Sequence, residues 1–144
     1  MIALDTNLLV YAHRRDSEFF ENANAVLKTL AEGDDTWTIP WPCIHEFIAI
    51  VTHPRIYSPA STLREAIDQV DLWFESPSIV VIGESDMHWE MLKATAESGR
   101  VVGPMIHDAR IVAICLSHGV NTLYSADRDF GRFRDLKVHN PLLQ

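Results

Sequence analysis

The chain has 144 residues, of which 47% are hydrophobic and 22% charged, and only two cysteines. This balance predicts one globular domain over residues 1–144 and excludes disordered, fibrous and disulfide-scaffold classes. No apolar run could cross a bilayer and no leader-like segment precedes Asp5, so we expect a soluble, cytoplasmic protein. The formal net charge of −8 by itself argues against a nucleic-acid binder, because affinity for phosphates comes largely from Lys and Arg.

The first half of the chain alternates β-forming runs with helical patterns. An apolar run over residues 1–4 ends at Asp5. Apolar residues from Phe19 to Leu30 recur at helical spacing, and Gly33 suits the C-cap of that helix. Residues 36–41 favour a strand, and the apolar stripe that follows predicts a helix starting at Pro42 and stopped by Pro54.

A proline-containing loop over residues 53–60 leads into the second half. Thr62 and Glu65 form a capping-box pattern, which predicts a helix running to Phe74. The uninterrupted β-branched run at residues 79–82 is typical of a strand buried in a parallel sheet.

The remaining pattern continues the alternation. We expect a helix capped by Ser85 or Asp86 and ended by Gly99, and a clear helix over Ile106–His118. Strands follow at residues 122–125 and 136–138, with a short helical turn at 130–133 between them.

Strands that alternate with helices from end to end predict an α/β fold. We expect a three-layer α/β/α sandwich around a central parallel sheet of about four or five strands. In such sheets ligands bind beyond the carboxyl ends of the strands, near the point where the strand order reverses.

Acidic residues fall at that edge. Asp5 follows the first strand, Asp127 and Asp129 follow the strand at 122–125, and Asp108 and Glu46 lie in the first turns of two helices. Carboxylates packed together would repel one another unless a cation lies among them. Oxygen ligands suit Mg²⁺ or Mn²⁺ rather than zinc, so we predict metal binding by Asp5, Asp108, Asp127 and Asp129.

A metal site of this kind predicts hydrolysis at phosphorus. One ion can help generate hydroxide from water while a second stabilises the leaving oxygen, and no covalent nucleophile is needed. Asp5, Glu46, Asp108 and Asp127 are the candidate catalytic residues. Thr6, Asn7 and Ser125 are candidates for orienting the carboxylates or the attacking water.

Each acid also has a structural interpretation. Asp108 suits a helix N-terminus through the helix dipole, Asp127 could cap the short helix after it, and Glu46 could be a solvated helix-face residue. Asp5 is harder to explain in this way, because the end of the first strand is the usual ligand site of this architecture.

These residues together resemble the PIN-domain ribonucleases, and more closely the VapC toxins of toxin–antitoxin pairs. The resemblance runs nearly the whole chain and rests on segments in the family's order. They are Asp5-Thr6-Asn7, Glu46, Thr52-His53-Pro54-Arg55, His107-Asp108-Ala109-Arg110 and Ser125-Ala126-Asp127-Arg128-Asp129-Phe130.

The resemblance implies a PIN-like fold and an endoribonuclease that depends on Mg²⁺ or Mn²⁺. It implies a homodimer and a VapB-type antitoxin that inserts into the acidic groove, where an arginine could pair with the carboxylates. It leaves the RNA target open, and within the family the use of the residue matching Asp129 varies.

Basic residues near the motifs could offset the net charge. We predict RNA contacts from Arg14, Arg15, Arg55, Arg110 and Arg128, with Arg132 and Arg134 also nearby, although some of these belong to an ordinary mixed-charge surface.

Other functions fit the sequence less well. Zinc sites at Cys43/His45 or Cys115/His118 lack the repeated spacing of structural zinc, so buried reduced thiols are expected instead. A role of His107 as a general base has little support, and the tryptophans favour core or dimer packing.

A haloacid-dehalogenase-type phosphatase would need an acid where Asn7 stands, and a receiver domain would need a lysine after the strand at 122–125. A module that binds a structural cation without catalysis stays open.

Overall fold

A computed structural model describes residues 1–143, which form a three-layer α/β/α sandwich of five strands and six α-helices. The strands are β1 (Ile2–Leu4), β2 (Trp37–Pro40), β3 (Ile79–Ile82), β4 (Thr122–Tyr124) and β5 (Lys137–His139). The helices are α1 (Thr6–His13), α2 (Phe20–Glu32), α3 (Trp41–Val51), α4 (Leu63–Phe74), α5 (His88–Ser98) and α6 (Ile106–Ser117). Two 3-10 helices, η1 (Gly103–Met105) and η2 (Arg128–Arg132), precede α6 and follow β4.

The sheet has the order β3-β2-β1-β4-β5 and every neighbouring pair is parallel. The predicted fold class is therefore confirmed. The chain builds the sheet outward from β1, first through β2 to β3 and then through β4 to β5. The order reverses between β1 and β4, so the carboxyl ends of these two strands flank the crevice where such folds bind ligands.

The core lies between the sheet and its helices. Trp37, Phe47 and Phe130 are its largest enclosed side chains, and the Phe47 ring meets Trp73 edge-on at 4.9 Å between centroids. Helix α6 buries every residue from Ile111 to Cys115, so it packs on both sides. Burying one such apolar side chain contributes about 1.5–3 kcal/mol, which makes this core the main source of stability.

The cap of α4 agrees in detail with the sequence pattern. The Glu65 N–H donates to Thr62 Oγ1 at 3.1 Å, and the Thr62 N–H donates to Glu65 Oε1 at 3.0 Å. This reciprocal pair satisfies two of the donors that every helix start leaves free. It confirms the predicted start of the helix.

Two local predictions were wrong. Strand β3 was expected to be buried, but it lies at the edge of the sheet with β2 as its neighbour, and Val80 is 47% exposed. Helix α5 begins at His88 and is not capped by Ser85 or Asp86; Ser85 accepts from the Met87 N–H in the turn before it. The prediction for Gly33 is confirmed, because it is the C-cap of α2, with an extended backbone of φ −79° and ψ 169°.

No helix within residues 1–143 combines the length and the apolar character that crossing a membrane requires.

Candidate active site

Four predicted acids surround one cavity of about 260 Å³ at the crevice between β1 and β4, which we call the acidic cavity. They come from four separate parts of the fold: the end of β1, the middle of α3, the first turn of α6 and the loop after β4. The prediction that Glu46 lies in the first turn of its helix was wrong, because α3 begins at Trp41. The carboxylates that line the acidic cavity are Asp5, Glu46, Asp108 and Asp127. The neutral polar residues Thr6 and Asn7 also line it. Residues far apart in the chain are thus brought together by the parallel sheet.

Asp5 is the most deeply set of these acids, with 5% of its surface exposed. It precedes α1, but its carboxylate makes no hydrogen bond that caps the helix. Its Oδ2 accepts from Ser125 Oγ at 2.7 Å, and Cys43 Sγ lies 3.8 Å from Oδ1. Burial, followed by the charges of Glu46 and Asp108, raises the pKa of Asp5 to about 6 despite the bond from Ser125.

Asp108 and Glu46 face Asp5 from the helices. Burial raises the pKa of the half-buried Asp108, and the charges of Asp127 and then Glu46 add to that rise. Glu46 accepts from the Thr6 hydroxyl at 3.3 Å. The acids therefore lie close enough to raise the cost of ionising one another.

Ser125 organises the two strand ends that meet at the cavity. Its Oγ donates to Asp5 and accepts from the Asp127 N–H at 3.0 Å and from Asn7 Nδ2 at 3.4 Å. Asn7 Oδ1 accepts from the Ala126 N–H at 3.2 Å, which ties α1 to the loop after β4. The contacts of Ser125 and Asn7 thus hold the acids at β1 and β4 in a common orientation.

Asp129 is exposed and does not line the cavity. Its N–H donates to Asp127 Oδ1 at 2.9 Å, so Asp127 acts as the N-cap of η2. The charge of Asp129 still contributes to the raised pKa of Asp108. Asp129 therefore lies outside the cavity that the other four acids line.

The donor set of the cavity fits a hard divalent cation. Its carboxylate oxygens are partly desolvated and repel one another, which a cation would relieve. Across residues 1–143, however, no three His, Cys, Asp or Glu side chains are already grouped as ligands of a single ion. The carboxylates would therefore shift slightly to coordinate a metal, with water supplying the remaining ligands.

The five arginines predicted to contact RNA do not line the acidic cavity. The Arg14 side chain, 11% exposed, is held by Asp16, the Pro59 carbonyl and Ser61, with its guanidinium 4.1 Å from the Tyr57 ring centroid. Arg110 pairs with Glu84 at 2.6 Å, whereas Arg15, Arg55 and Arg128 are exposed.

Sequence reasoning missed an aromatic wall of the cavity. Tyr11 and Tyr57 line it beside Ile50 and Phe130. Tyr57 lies in the loop at residues 53–60, next to the segment that carries part of the family resemblance, which was the available signal. No sequence signal pointed to Tyr11, because it belongs to a largely apolar stretch whose pattern indicates packing rather than a site.

Both cysteines are buried, whereas two of the four tryptophans lie in the core and two at the surface. Cys43 and Cys115 are free and buried, as expected, and His45 and His118 are exposed. Trp37 and Trp73 belong to the core, whereas Trp41 and Trp89 are 42% and 64% exposed.

Comparison with known sequences places this geometry in a family. A family model for the PIN domain matches residues 2–136. Ribonuclease VapC43 of Mycobacterium tuberculosis is 32% identical over 142 residues, which cover 99% of this chain and 96% of that protein. Ribonuclease VapC48 of the same species is 26% identical over 137 residues, covering 95% and 94%.

Solved structures share the fold at lower identity. The chain is similar to one in the VapBC2 complex of Rickettsia felis bound to a promoter DNA fragment, with a TM-score of 0.68, 21% identity and coverage of 97% and 98%. It is also similar to a chain of FitAB bound to the IR36 DNA fragment, with a TM-score of 0.70, 20% identity and coverage of 100% and 97%.

The chain therefore belongs to the PIN domain family, and among its members to the VapC ribonucleases. The resemblance inferred from the sequence motifs is confirmed.

Proposed function

We propose that this chain is an endoribonuclease that hydrolyses RNA phosphodiester bonds in the acidic cavity with Mg²⁺ or Mn²⁺, acting as the toxin of a toxin–antitoxin pair. The observation that carries the proposal is the convergence of Asp5, Glu46, Asp108 and Asp127 on one cavity of about 260 Å³. The ribonuclease names of its relatives support the same reaction.

When bound at these carboxylates, a divalent cation would supply the positive charge needed to activate water and to stabilise the leaving oxygen. Asp5, Asp108 and Asp127 are the proposed ligands, with Asp129 as an outer contributor. The hydroxyl of Ser125 holds the Asp5 carboxylate, and Asn7 fixes the loop that carries Asp127. Glu46, oriented by Thr6, is the proposed acceptor of a proton from the attacking water.

Metal removal tests this function directly. We expect cleavage of a structured RNA to stop in EDTA and to return with Mg²⁺ or Mn²⁺. Asp127→Asn should stay inactive after the metal is returned, whereas Asp71→Asn, at an exposed position on α4, should match the parent. Cleavage that persists in EDTA, or hydrolysis of a phosphate monoester instead of RNA, would contradict the assignment.

We propose that a VapB-type antitoxin blocks this site by placing a cationic side chain among the carboxylates. An arginine fork matches a carboxylate cluster and could pair with two oxygens at once. Structures similar to this chain come from complexes with such partners. Expression of the chain should arrest growth, and co-expression of its VapB-type antitoxin should relieve the arrest.

We propose a homodimer that covers apolar side chains near the starts of α5 and α6. Met87 and Trp89 are 62% and 64% exposed, Val102 is 74% exposed and Ile106 is 37% exposed. Apolar exposure of this kind often marks a protein interface. Light scattering should report a dimer for the parent and a monomer for Trp89→Glu.

We also propose a cytoplasmic location, because both cysteines are free and buried, as is usual in a reducing compartment.

A further inference from the structure

A second concave surface, which we call the arginine cleft, lies where the end of α5 meets η2. Its volume is about 620 Å³, and it is lined by Ser98, Gly99, Arg100, Gly131, Arg132 and Arg134. Half of the lining residues are arginines and none is acidic. In a chain of net charge −8 this is an unusual concentration of positive charge.

The backbone presents Arg100 in a conformation that favours glycine. Helix α5 ends with the Val101 N–H donating to Ala96 O at 3.0 Å and the Arg100 N–H donating to Glu97 O at 3.2 Å, which is a Schellman motif. Arg100 takes the left-handed position of that motif with φ 52°.

Helix α6 ends with the same pair of bonds, but there Gly119 occupies the left-handed position with φ 71°. An arginine at the equivalent place in α5 is unfavourable for the backbone. Its presence is better explained by what the side chain does than by how the helix ends.

The arginines of the cleft lack an anionic partner within the described part of the chain. Among residues 1–143, none of the three forms an ion pair with a carboxylate. Arg132 donates to the Gly99 carbonyl at 3.0 Å, so it also holds η2 against α5. Asp135 lies beside Arg134 in a neighbouring crevice and does not line the cleft.

The short helix η2 joins the cleft to the acidic cavity. Asp127 caps η2 and lines the acidic cavity together with Phe130, whereas the next two residues, Gly131 and Arg132, line the cleft. Neighbouring residues of η2 thus line both surfaces, so we expect a nucleic-acid strand that enters the acidic cavity to continue along η2 to the arginines.

We propose that the arginine cleft binds backbone phosphates of the RNA beside the scissile bond. This inference rests on the proposed ribonuclease function. The acidic cavity repels a polyanion except through its bound cation, so affinity must come from positive charge nearby. The guanidinium fork suits phosphate oxygens, and contacts to phosphates position a nucleic acid without reading its sequence.

Binding of RNA in the absence of metal separates this role from catalysis. The probe is a fluorescein-labelled single-stranded RNA of about 20 nucleotides, titrated in EDTA at several KCl concentrations and followed by anisotropy. The test variant is Arg100→Gln with Arg134→Gln; Arg132 is left intact because it holds the backbone of Gly99. Arg64→Gln, whose side chain is 73% exposed on α4, is the matched control.

We expect the double variant to bind the RNA roughly tenfold more weakly at low salt. The slope of log affinity against log salt should fall by about 1.4, because each phosphate that an arginine no longer neutralises lowers it by about 0.7. In the presence of metal, KM for RNA should rise while kcat stays near the parent value, because a phosphate contact of this kind is made equally in the ground and transition states. The control should match the parent in every measurement.

Arg100→Gly separates binding from folding. It removes the charge but relieves the left-handed backbone, so we expect weaker RNA binding together with an unchanged or higher melting temperature. Loss of binding together with a lower melting temperature would mean that Arg100 is structural, which would overturn the inference.

The other outcomes are also decisive. If the double variant keeps the parent's affinity and salt slope while the parent cuts RNA, the cleft inference fails and the proposed function stands. If the double variant loses only its association with an acidic protein partner, the cleft is a protein-binding surface and the inference is wrong. A parent that neither binds nor cuts RNA would refute both proposals.

Discussion

The acidic cavity and the arginine cleft share η2 but hold their charges in opposite ways. The cavity draws carboxylates from four elements into a partly buried space, where the pKa of Asp5 rises to about 6. The cleft takes its arginines from two short segments and leaves all of them exposed. Water screens the repulsion between like charges at the surface but not in the interior. The carboxylates of the cavity therefore need a cation, whereas the exposed arginines of the cleft are stable without a bound anion.

Neutralising one carboxylate should break the cavity's function most severely. We expect Asp5→Asn, Asp108→Asn and Asp127→Asn, as well as Glu46→Gln, each to lower kcat for RNA cleavage by at least about 10³-fold, because each removes a proposed ligand or base. Asp129→Asn should have a milder effect, since that side chain lies outside the cavity. Cleavage by Asp5→Asn at the parent rate would end the assignment of the site.

Removing the charge of Asp5 from the cavity should make the folded protein more stable. The folded-state pKa of Asp5 is about 6 against 3.8 for the free side chain, so ionisation is penalised only in the folded protein. The penalty is absent below about pH 4, grows as the pH rises from about 4 to 6 and is complete above that, at about 3 kcal/mol.

Because asparagine cannot ionise, in EDTA we expect Asp5→Asn to be more stable than the parent by roughly 3 kcal/mol at about pH 7; the bond from Ser125 is already included in the raised pKa. The difference should disappear near about pH 4. Urea unfolding of both proteins at several pH values measures it, and equal stability at neutral pH would contradict the raised pKa.

The scaffold of the cleft can be loosened without touching a charge. A Cβ at Gly99 would lie 2.6 Å from Phe133 Cε1 and 3.2 Å from the Thr95 carbonyl oxygen. Gly99→Ala should therefore destabilise the fold by about 1–3 kcal/mol. Gly131→Ala is the matched control, because a Cβ there would meet nothing within 4 Å. A neutral Gly99→Ala in thermal unfolding would show that α5 and η2 do not pack as described.

The smallest effect should come from Arg14, which supports the cavity from outside. Arg14 holds Tyr57, Pro59 and Ser61, so Arg14→Gln should loosen the loop that carries Tyr57 into the cavity wall. We expect a loss of about 1–2 kcal/mol in stability and a few-fold rise in KM. Limited proteolysis should cut the loop at residues 53–60 faster, whereas Arg64→Gln, at an exposed position on α4, should behave like the parent.

Patterns local in the chain were predictable, with the exception of the cap of α5. Alternating strand and helix signals predicted the parallel sheet, and the capping box at Thr62 and Glu65 predicted the start of α4. The acids could be named because parallel strands end at one edge, so Asp5 and Asp127 follow from the strand assignments alone. Glu46 and Asp108 needed the family's motif order, because each has an ordinary explanation. Asp108 suits the helix dipole at the start of α6, and Glu46 could be a solvated residue on the face of α3.

Properties that depend on neighbours far away in the chain were not predictable. The sequence presented Arg14 as one of several rim arginines, and only the packing of residues 57–61 against it shows that its donors are already used. The β-branched run of β3 reads as buried, but strand order leaves it at the edge. Burial, strand order and partner choice arise from contacts between distant segments, whereas turns, caps and periodicity are encoded within a few residues.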